Sequence, residues 1–293
     1  MYKTAFISDE VSQDLPTAAR LAVSYGLDAL EIRSVRERNP FQMTLEDFKY
    51  VKSVCDDHGL AICAVASPLF KCNLNSEEEY QAHLAGLGRC IDAAHLWGTK
   101  IIRGFTFWKD GFGEKSFPKI VDRYQRAIRM AEENDVIIAI ESEPSVCAIN
   151  MRALRDFLEL AGSDRLAALW DPGNEVSDPG TPPPYPVGYE LLRPWIKHVH
   201  LKDAKATVGQ DFYEPALMGQ GDVDFHGALK RLKEDNYEGY VSIETHYRMK
   251  KAAFSESELA RPQGSAFSDG GYEATQAYLD ILRDKYDWMG QVK

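Results

Sequence analysis

Four positions in the second half of the chain pair a metal-ligand side chain with the end of an apolar run. They are Glu141 in VIIAIESEP, Asp171 in AALWDPGN, His200 in KHVHLKD and Glu244 in GYVSIETH. Three carboxylates and one imidazole form an oxygen-rich, hard donor set. Brought together, the carboxylates repel, and some must stay protonated unless a cation joins them. A divalent ion removes that conflict. Such a set suits Mn²⁺ first, then Mg²⁺ or Co²⁺, with Zn²⁺ as a further option. The competing reading is that acidic residues end strands because loops are solvated. Four ligand types closing four successive runs favour the metal. HVHLKD also puts His198 and His200 at i and i+2, on one face of a strand.

The elements that would carry these residues are short and regular. Apolar runs recur at 4–8, 28–33, 61–66, 99–104, 136–141, 167–171, 197–201 and 239–244. Most lack period-2 alternation, the pattern of parallel strands covered on both faces. Amphipathic stretches of helical length follow them, at 15–26, 44–59, 76–98, 118–134, 151–162, 189–196, 225–236 and 271–286. Pro16 and Gly26 stand where a helix prefers them, and Thr44 with Asp47 forms a capping-box variant. Eight β–α units predict a single (β/α)8 TIM barrel over residues 1–293. Long loops are expected at about 172–188 and 245–270, over the C-terminal face where barrel chemistry sits. The early strands carry neither GxGxxG nor a Walker motif, which weakens nucleotide-binding alternatives.

The 293 residues suit one barrel with insertions. A net charge of −11 argues against nucleic-acid and anionic-membrane partners. Five cysteines, an odd number with no CxxC pair, read as reduced thiols in a cytoplasm. No apolar run reaches the roughly 20 residues that cross a bilayer, and the N-terminus turns acidic too early for a signal peptide.

The chain resembles the xylose-isomerase-like barrel superfamily of sugar isomerases and epimerases, which also contains endonuclease IV-like enzymes. The resemblance rests on ISDEVSQD, LEIRS, ASPLFK, IESEP, LWDPGN, HVHLKD, GQGDVDF and SIETH, and covers nearly the whole chain. It implies one divalent metal at Glu141, Asp171, His200 and Glu244, with His198 one layer deeper as a structural or supporting residue. The nuclease branch carries further histidines on early strands, where this chain offers Asp9, Glu31, Cys63 and Arg103, so nuclease action is not expected. Asn174 stands where that branch and some ketose epimerases have histidine.

The resemblance further implies proton abstraction from an α-hydroxy carbonyl sugar through a metal-stabilised enediolate, with Glu141 and Glu244 doubling as ligand and acid/base. Lys202 and His246 are candidates for binding substrate oxygens or shuttling a proton, or else sit exposed at loop bases. Glu143 faces the cavity or the surface. Arg103 binds a substrate oxygen or pairs with Glu31 or Glu141. Trp108 and Phe107 wall the pocket or pack a loop, and Asn174 and Glu10 are substrate-side candidates of the same grade. The alternative activity is that of the catalytic subunit of a C-glycoside deglycosidase. That lyase cleaves 3-oxo-C-glycosides by metal-assisted enolisation, beside a small β-sandwich partner. The partners expected are therefore a sugar or sugar derivative and either a second copy of this chain or such a subunit. A non-catalytic sugar-binding barrel would have a broken ligand set, and all four positions are intact.

Overall fold

A computed structural model describes residues 1–111, 113–176, 182–207, 213–249, 268–286 and 288. Eight parallel strands close into a barrel: β1 (Lys3–Ile7), β2 (Ala29–Ile32), β3 (Ala61–Leu69), β4 (Ile101–Gly104), β5 (Ile137–Glu141), β6 (Leu166–Trp170), β7 (Ile196–Leu201) and β10 (Tyr240–Ile243). Closure pairs β1 with β10, Lys3 opposite Tyr240 and Phe6 opposite Ile243. Nearly every strand residue is buried, which explains the unbroken apolar runs.

The main helices begin and end where local chemistry says they should. Thr44 and Asp47 close a reciprocal capping box at the head of α3 (Leu45–Asp57). Asp14 accepts from the Thr17 amide at the start of α2 (Leu15–Ser24). Their amphipathic faces pack on the barrel beside α4 (Glu77–Trp97), α5 (Phe117–Glu133), α6 (Met151–Ala161), α9 (Phe225–Glu234) and α10 (Gly271–Lys285).

Several boundaries differ from expectation. The helix expected at 189–196 is only the four residues of α8 (Tyr189–Leu192). Arg193 is still helical, but Pro194 has no amide hydrogen to continue the ladder, and a turn leads straight into β7. Short helices α1 (Ser8–Val11) and α7 (Pro172–Glu175) follow β1 and β6 directly. A hairpin of β8 (Asp203–Lys205) and β9 (Glu214–Ala216) extends β7 over the barrel mouth. Of the long loops expected at 172–188 and 245–270, residues 177–181 and 250–267 lie outside the described residues. Among the described residues, no helix is long and apolar enough to cross a membrane. The five cysteines are buried and unpaired.

Candidate active site

Glu141 is the last residue of β5. Asp171 and Glu244 each stand one residue past a strand, and His200 is the penultimate residue of β7. Register brings them level. Trp170 pairs with Val199, so Asp171 comes beside His200, and Ile243 pairs with Leu201, so Glu244 follows directly. One donor atom from each of the four lies within 4.8 Å of the others, and all four residues are buried. His200 Nδ1 is 3.5 Å from Glu244, 3.8 Å from Glu141 and 4.0 Å from Asp171. Ligand atoms about 2.1 Å from a shared ion lie roughly 3–4 Å apart, so the spacing fits one divalent cation. His200 Nδ1 is fully buried with no hydrogen-bond partner while facing three carboxylates, as a ligand nitrogen would.

The other His200 nitrogen is held from behind. Nε2 lies 3.2 Å from both oxygens of Glu31, which also receives His198 Nε2 at 2.8 Å. All three side chains are fully buried. This fixes the ring so that Nδ1 faces the cluster, and makes His198 a partner of Glu31, outside the four-residue set. In the sequence Glu31 appears only as an acid inside the second apolar run. Replacing it with Gln is expected to weaken divalent-metal affinity about 10–100-fold. Metal titration by calorimetry measures this, and unchanged affinity would show that Glu31 does not orient the ligand.

Cations surround the carboxylates. Lys202, only 1% exposed, places Nζ 2.6 Å from Asp171 and 2.7 Å from Glu244. The exposed loop-base alternative for Lys202 is thereby excluded. Arg103 pairs with Glu141 at 3.2 Å, while Asn174 donates to the other Glu141 oxygen at 2.9 Å. Arg33 donates to Glu244 at 2.9 Å, to Glu10 at 2.7 Å and to Asp9 at 3.0 Å. Two motifs from the first two strands, ISDEVSQD and LEIRS, therefore converge on a carboxylate more than 200 residues away. Arg33 had not been singled out, because nothing local marks its partner.

Electrostatics follow from this crowding. Burial opposes charge on Glu141, yet Arg103 and His200 prevail and hold it at about 2. Burial raises Asp171 to about 6; the Glu244 and Glu141 carboxylates reinforce the rise, and Lys202 only partly offsets it. Against burial, Lys202 and His246 keep Glu244 well below the usual carboxylate range. Burial would lower His200, but Glu31, Glu141 and Glu244 raise it well above an ordinary imidazole.

The cluster opens into a cavity of about 330 Å³. Arg33, Lys71, Arg103, Glu141, Glu143, Asn174, Lys202, Tyr213, Glu244 and His246 all line it. His246 turns back through φ +41°, bringing Nε2 within 3.5 Å of Glu244 and 3.4 Å of Glu10, with Nδ1 3.3 Å from the Tyr213 hydroxyl. Glu10 faces Arg33, His246 and Arg248, behind Glu244. Glu143 faces the cavity and pairs with Lys71, whereas Trp108 is not among the lining residues; its ring, 40% exposed, lies 5.8 Å from Lys71 Nζ. Phe107 is buried beneath, stacked on Phe70, so it packs the loop and does not wall the cavity. Tyr213 and Lys71 escaped the sequence reading, since neither ends a strand beside a ligand.

Two close approaches account for the glycines in the motifs. A Cβ on Gly173 of DPGN would lie 2.2 Å from the Lys202 carbonyl, so this loop can pass beneath β7 only as glycine. A Cβ on Gly221 of GQGDVDF would meet the Asp203 carboxylate at 2.1 Å. That carboxylate accepts from the amides of Gly219 at 2.7 Å, Gly221 at 2.9 Å and Ala204 at 2.9 Å. HVHLKD and GQGDVDF are therefore two halves of one structure.

A closed (β/α)8 barrel with an acidic, histidine-bearing cluster at the C-terminal strand ends defines a class of enzyme-like barrels. Within that class, the chain belongs to the xylose isomerase-like TIM barrel family, whose model matches residues 19–267. Two inosose dehydratases from strains of Klebsiella pneumoniae are similar to it. One is 24% identical over 149 residues, covering 46% of this chain and 50% of the relative, so the match spans half that relative's length. The other is 22% identical over 262 residues, 81% of this chain and 83% of the relative. Among solved structures, a probable 3-DHS dehydratase from Bacillus anthracis superposes with a TM-score of 0.74 at 14% identity, over 97% of this chain and 99% of that one. A 3-keto-D-glucoside 4-epimerase from E. coli gives 0.64 at 16% identity, over 97% and 98%. At these identities the structures share the fold.

Proposed function

We propose that the protein is a divalent-metal-dependent isomerase or epimerase of an α-hydroxy carbonyl sugar, working by removal of the proton beside the carbonyl. The observation that carries this reading is the convergence of Glu141, Asp171, His200 and Glu244 in one buried cluster at the floor of a polar cavity. The bound ion supplies Lewis-acid stabilisation for negative charge developing on the sugar oxygens. Mn²⁺ suits the donor set best. Glu244 takes the carbon-bound proton, and Glu141, on the opposite face of the sugar, returns one. Arg33 aims the Glu244 carboxylate, while Arg103 and Asn174 clamp Glu141. Lys202 binds a substrate oxygen, and the closed cavity floor keeps bulk water from the base. The similar inosose dehydratases and 3-keto-D-glucoside 4-epimerase are named for keto-sugar substrates, in keeping with this first step.

The second reading is a lyase, including the 3-oxo-C-glycoside-cleaving activity. The same proton is removed, and a group on the adjacent carbon then leaves with the electron pair. The Tyr213 hydroxyl, 3.3 Å from His246 beside Glu244, favours it by offering a proton source for the departing group. The protein would then act in the cytoplasm with a small β-sandwich subunit.

Proton NMR in D₂O tests the shared step. Mn²⁺-loaded protein, quenched and stripped of metal before each spectrum, is expected to exchange the carbon-bound proton of at least one member of a ketose and 3-oxo-glucoside panel. Prior chelation is expected to cost about 100-fold or more of that rate, the several kcal/mol expected of a Lewis-acid metal. Exchange that ignores chelation, or none with any member, rejects the reading. The products separate isomerase from lyase.

A further inference from the structure

At the cavity rim, beyond the ligand cluster, the side chains make an arrangement that proton abstraction does not use. Lys71, from the β3 end, places Nζ 2.6 Å from Glu143, two residues past Glu141. Both side chains line the cavity and remain partly open, at 26% and 17% exposure. Lys71 Nζ also lies 4.2 Å from the centroid of the buried Phe105 ring and 5.8 Å from that of Trp108. One ammonium thus links the inner cavity to an exposed indole.

An exposed aromatic ring alone means little. The backbone beneath this one, however, is fixed. The Trp108 amide donates to Cys72 at 3.0 Å, and its carbonyl accepts from the Cys147 thiol at 3.4 Å. Flanking it, Lys109 donates to Ser145 at 2.9 Å and Cys147 donates to Phe107 at 3.0 Å. Loops after three strands thus fix the backbone that carries the ring, and much of the indole's apolar area faces solvent. An aromatic face on a fixed backbone beside a cation–carboxylate pair is a carbohydrate-binding chemistry. The pair donates to and accepts from hydroxyls, and the indole stacks on the apolar face of a ring. The cavity, at about 330 Å³, is at the small end for ligand sites, and the Lys71–Glu143 pair in its lining offers a second ring attached to a bound keto sugar its polar partners.

We propose that Trp108 and the Lys71–Glu143 pair form an outer subsite for the second ring, sugar or aryl, of a glycosidic substrate. The preferred substrate is then a keto sugar carrying a substituent ring, in preference to a free monosaccharide. This rests on the sugar-enolising reading above.

Calorimetric titration of Mn²⁺-loaded protein with 3-oxo-glucose, its phenyl β-glycoside and 3-oxo-cellobiose tests the subsite. At least one two-ring ligand is expected to bind about 10-fold tighter than 3-oxo-glucose. Preference for the phenyl compound identifies an aryl ring, and preference for the disaccharide a sugar. In Trp108→Ala that ratio is expected to fall to about 1, while Trp108→Phe keeps most of it; Lys71→Met is expected to reduce it chiefly for the disaccharide. Thermal unfolding of each variant, with and without Mn²⁺, reports that the fold and metal site persist. Equal affinities in the parent protein, or a ratio unchanged by Trp108→Ala, overturn the subsite. If deuterium exchange is nevertheless seen, the subsite fails alone; if no keto sugar exchanges or binds, the functional reading falls with it.

Discussion

The Glu244→Gln protein is expected to turn over its substrate about 10³-fold more slowly than the parent, within the 10²–10⁴ range of a positioned general base. The amide keeps the shape of the side chain but cannot take a proton. It also removes the negative partner of Arg33 at 2.9 Å and Lys202 at 2.7 Å. Lys202 keeps Asp171, and Arg33 keeps Asp9 and Glu10, so neither buried cation is stranded and the barrel should still fold. The comparison that matters is with Glu141→Gln, which loses the nearer of the two carboxylates facing Arg103. If Glu244 is the base, its variant loses deuterium exchange at the substrate carbon, even when Mn²⁺ is raised to saturate a weakened site. If Glu141 returns the proton, its variant keeps exchange better than it keeps product formation. An exchange rate in Glu244→Gln within 10-fold of the parent, under saturating Mn²⁺, would remove Glu244 from that role.

Asp203→Ala is expected to cost about 3 kcal/mol of stability. Its buried carboxylate accepts three backbone amides, from Ala204, Gly219 and Gly221. Hydrogen bonds to a charged group contribute roughly 1.5–3 kcal/mol each, though not additively. Alanine leaves those amides facing a void beside a chain already too close for a side chain at Gly221. For a chain of this size the loss corresponds to a fall of roughly 6 °C or more in the unfolding midpoint. The effect should reach the site, since Asp203 directly follows Lys202 and lies three residues from His200. Mn²⁺ should therefore raise the midpoint of the variant less than that of the parent. A midpoint within about 2 °C of the parent would show that the turn holds without its carboxylate. Asp203→Asn keeps one acceptor oxygen and should fall between the two.

Much of the architecture is legible without coordinates. Burial on both faces forces parallel strands to be apolar throughout, so eight such runs, alternating with amphipathic stretches, announce a barrel. Strand ends are equally visible, because an apolar run must stop where the chain reaches solvent or a polar cavity. Glu141, Asp171, His200 and Glu244 stood out for that reason. Element boundaries were less legible where a proline or a direct strand-to-helix turn intervened, as at Pro194 and Asp171.

Local pattern alone established the number of barrel strands, the caps of the early helices and the identity of the residues at the strand ends, since each depends on neighbours a few positions away. The setting of those residues came only from closure of the barrel. Pairing β1 with β10 brings Asp9, Glu10 and Arg33 against Glu244, and the same closure puts Glu31 behind His198 and His200. These contacts join residues 160 to 240 positions apart, and no periodicity records which charge will face which. Lys202 reads as a loop-base lysine in sequence, yet it is buried between two carboxylates because β7 continues into the hairpin above it. Long-range electrostatics depend on distances in space, which chain order does not carry.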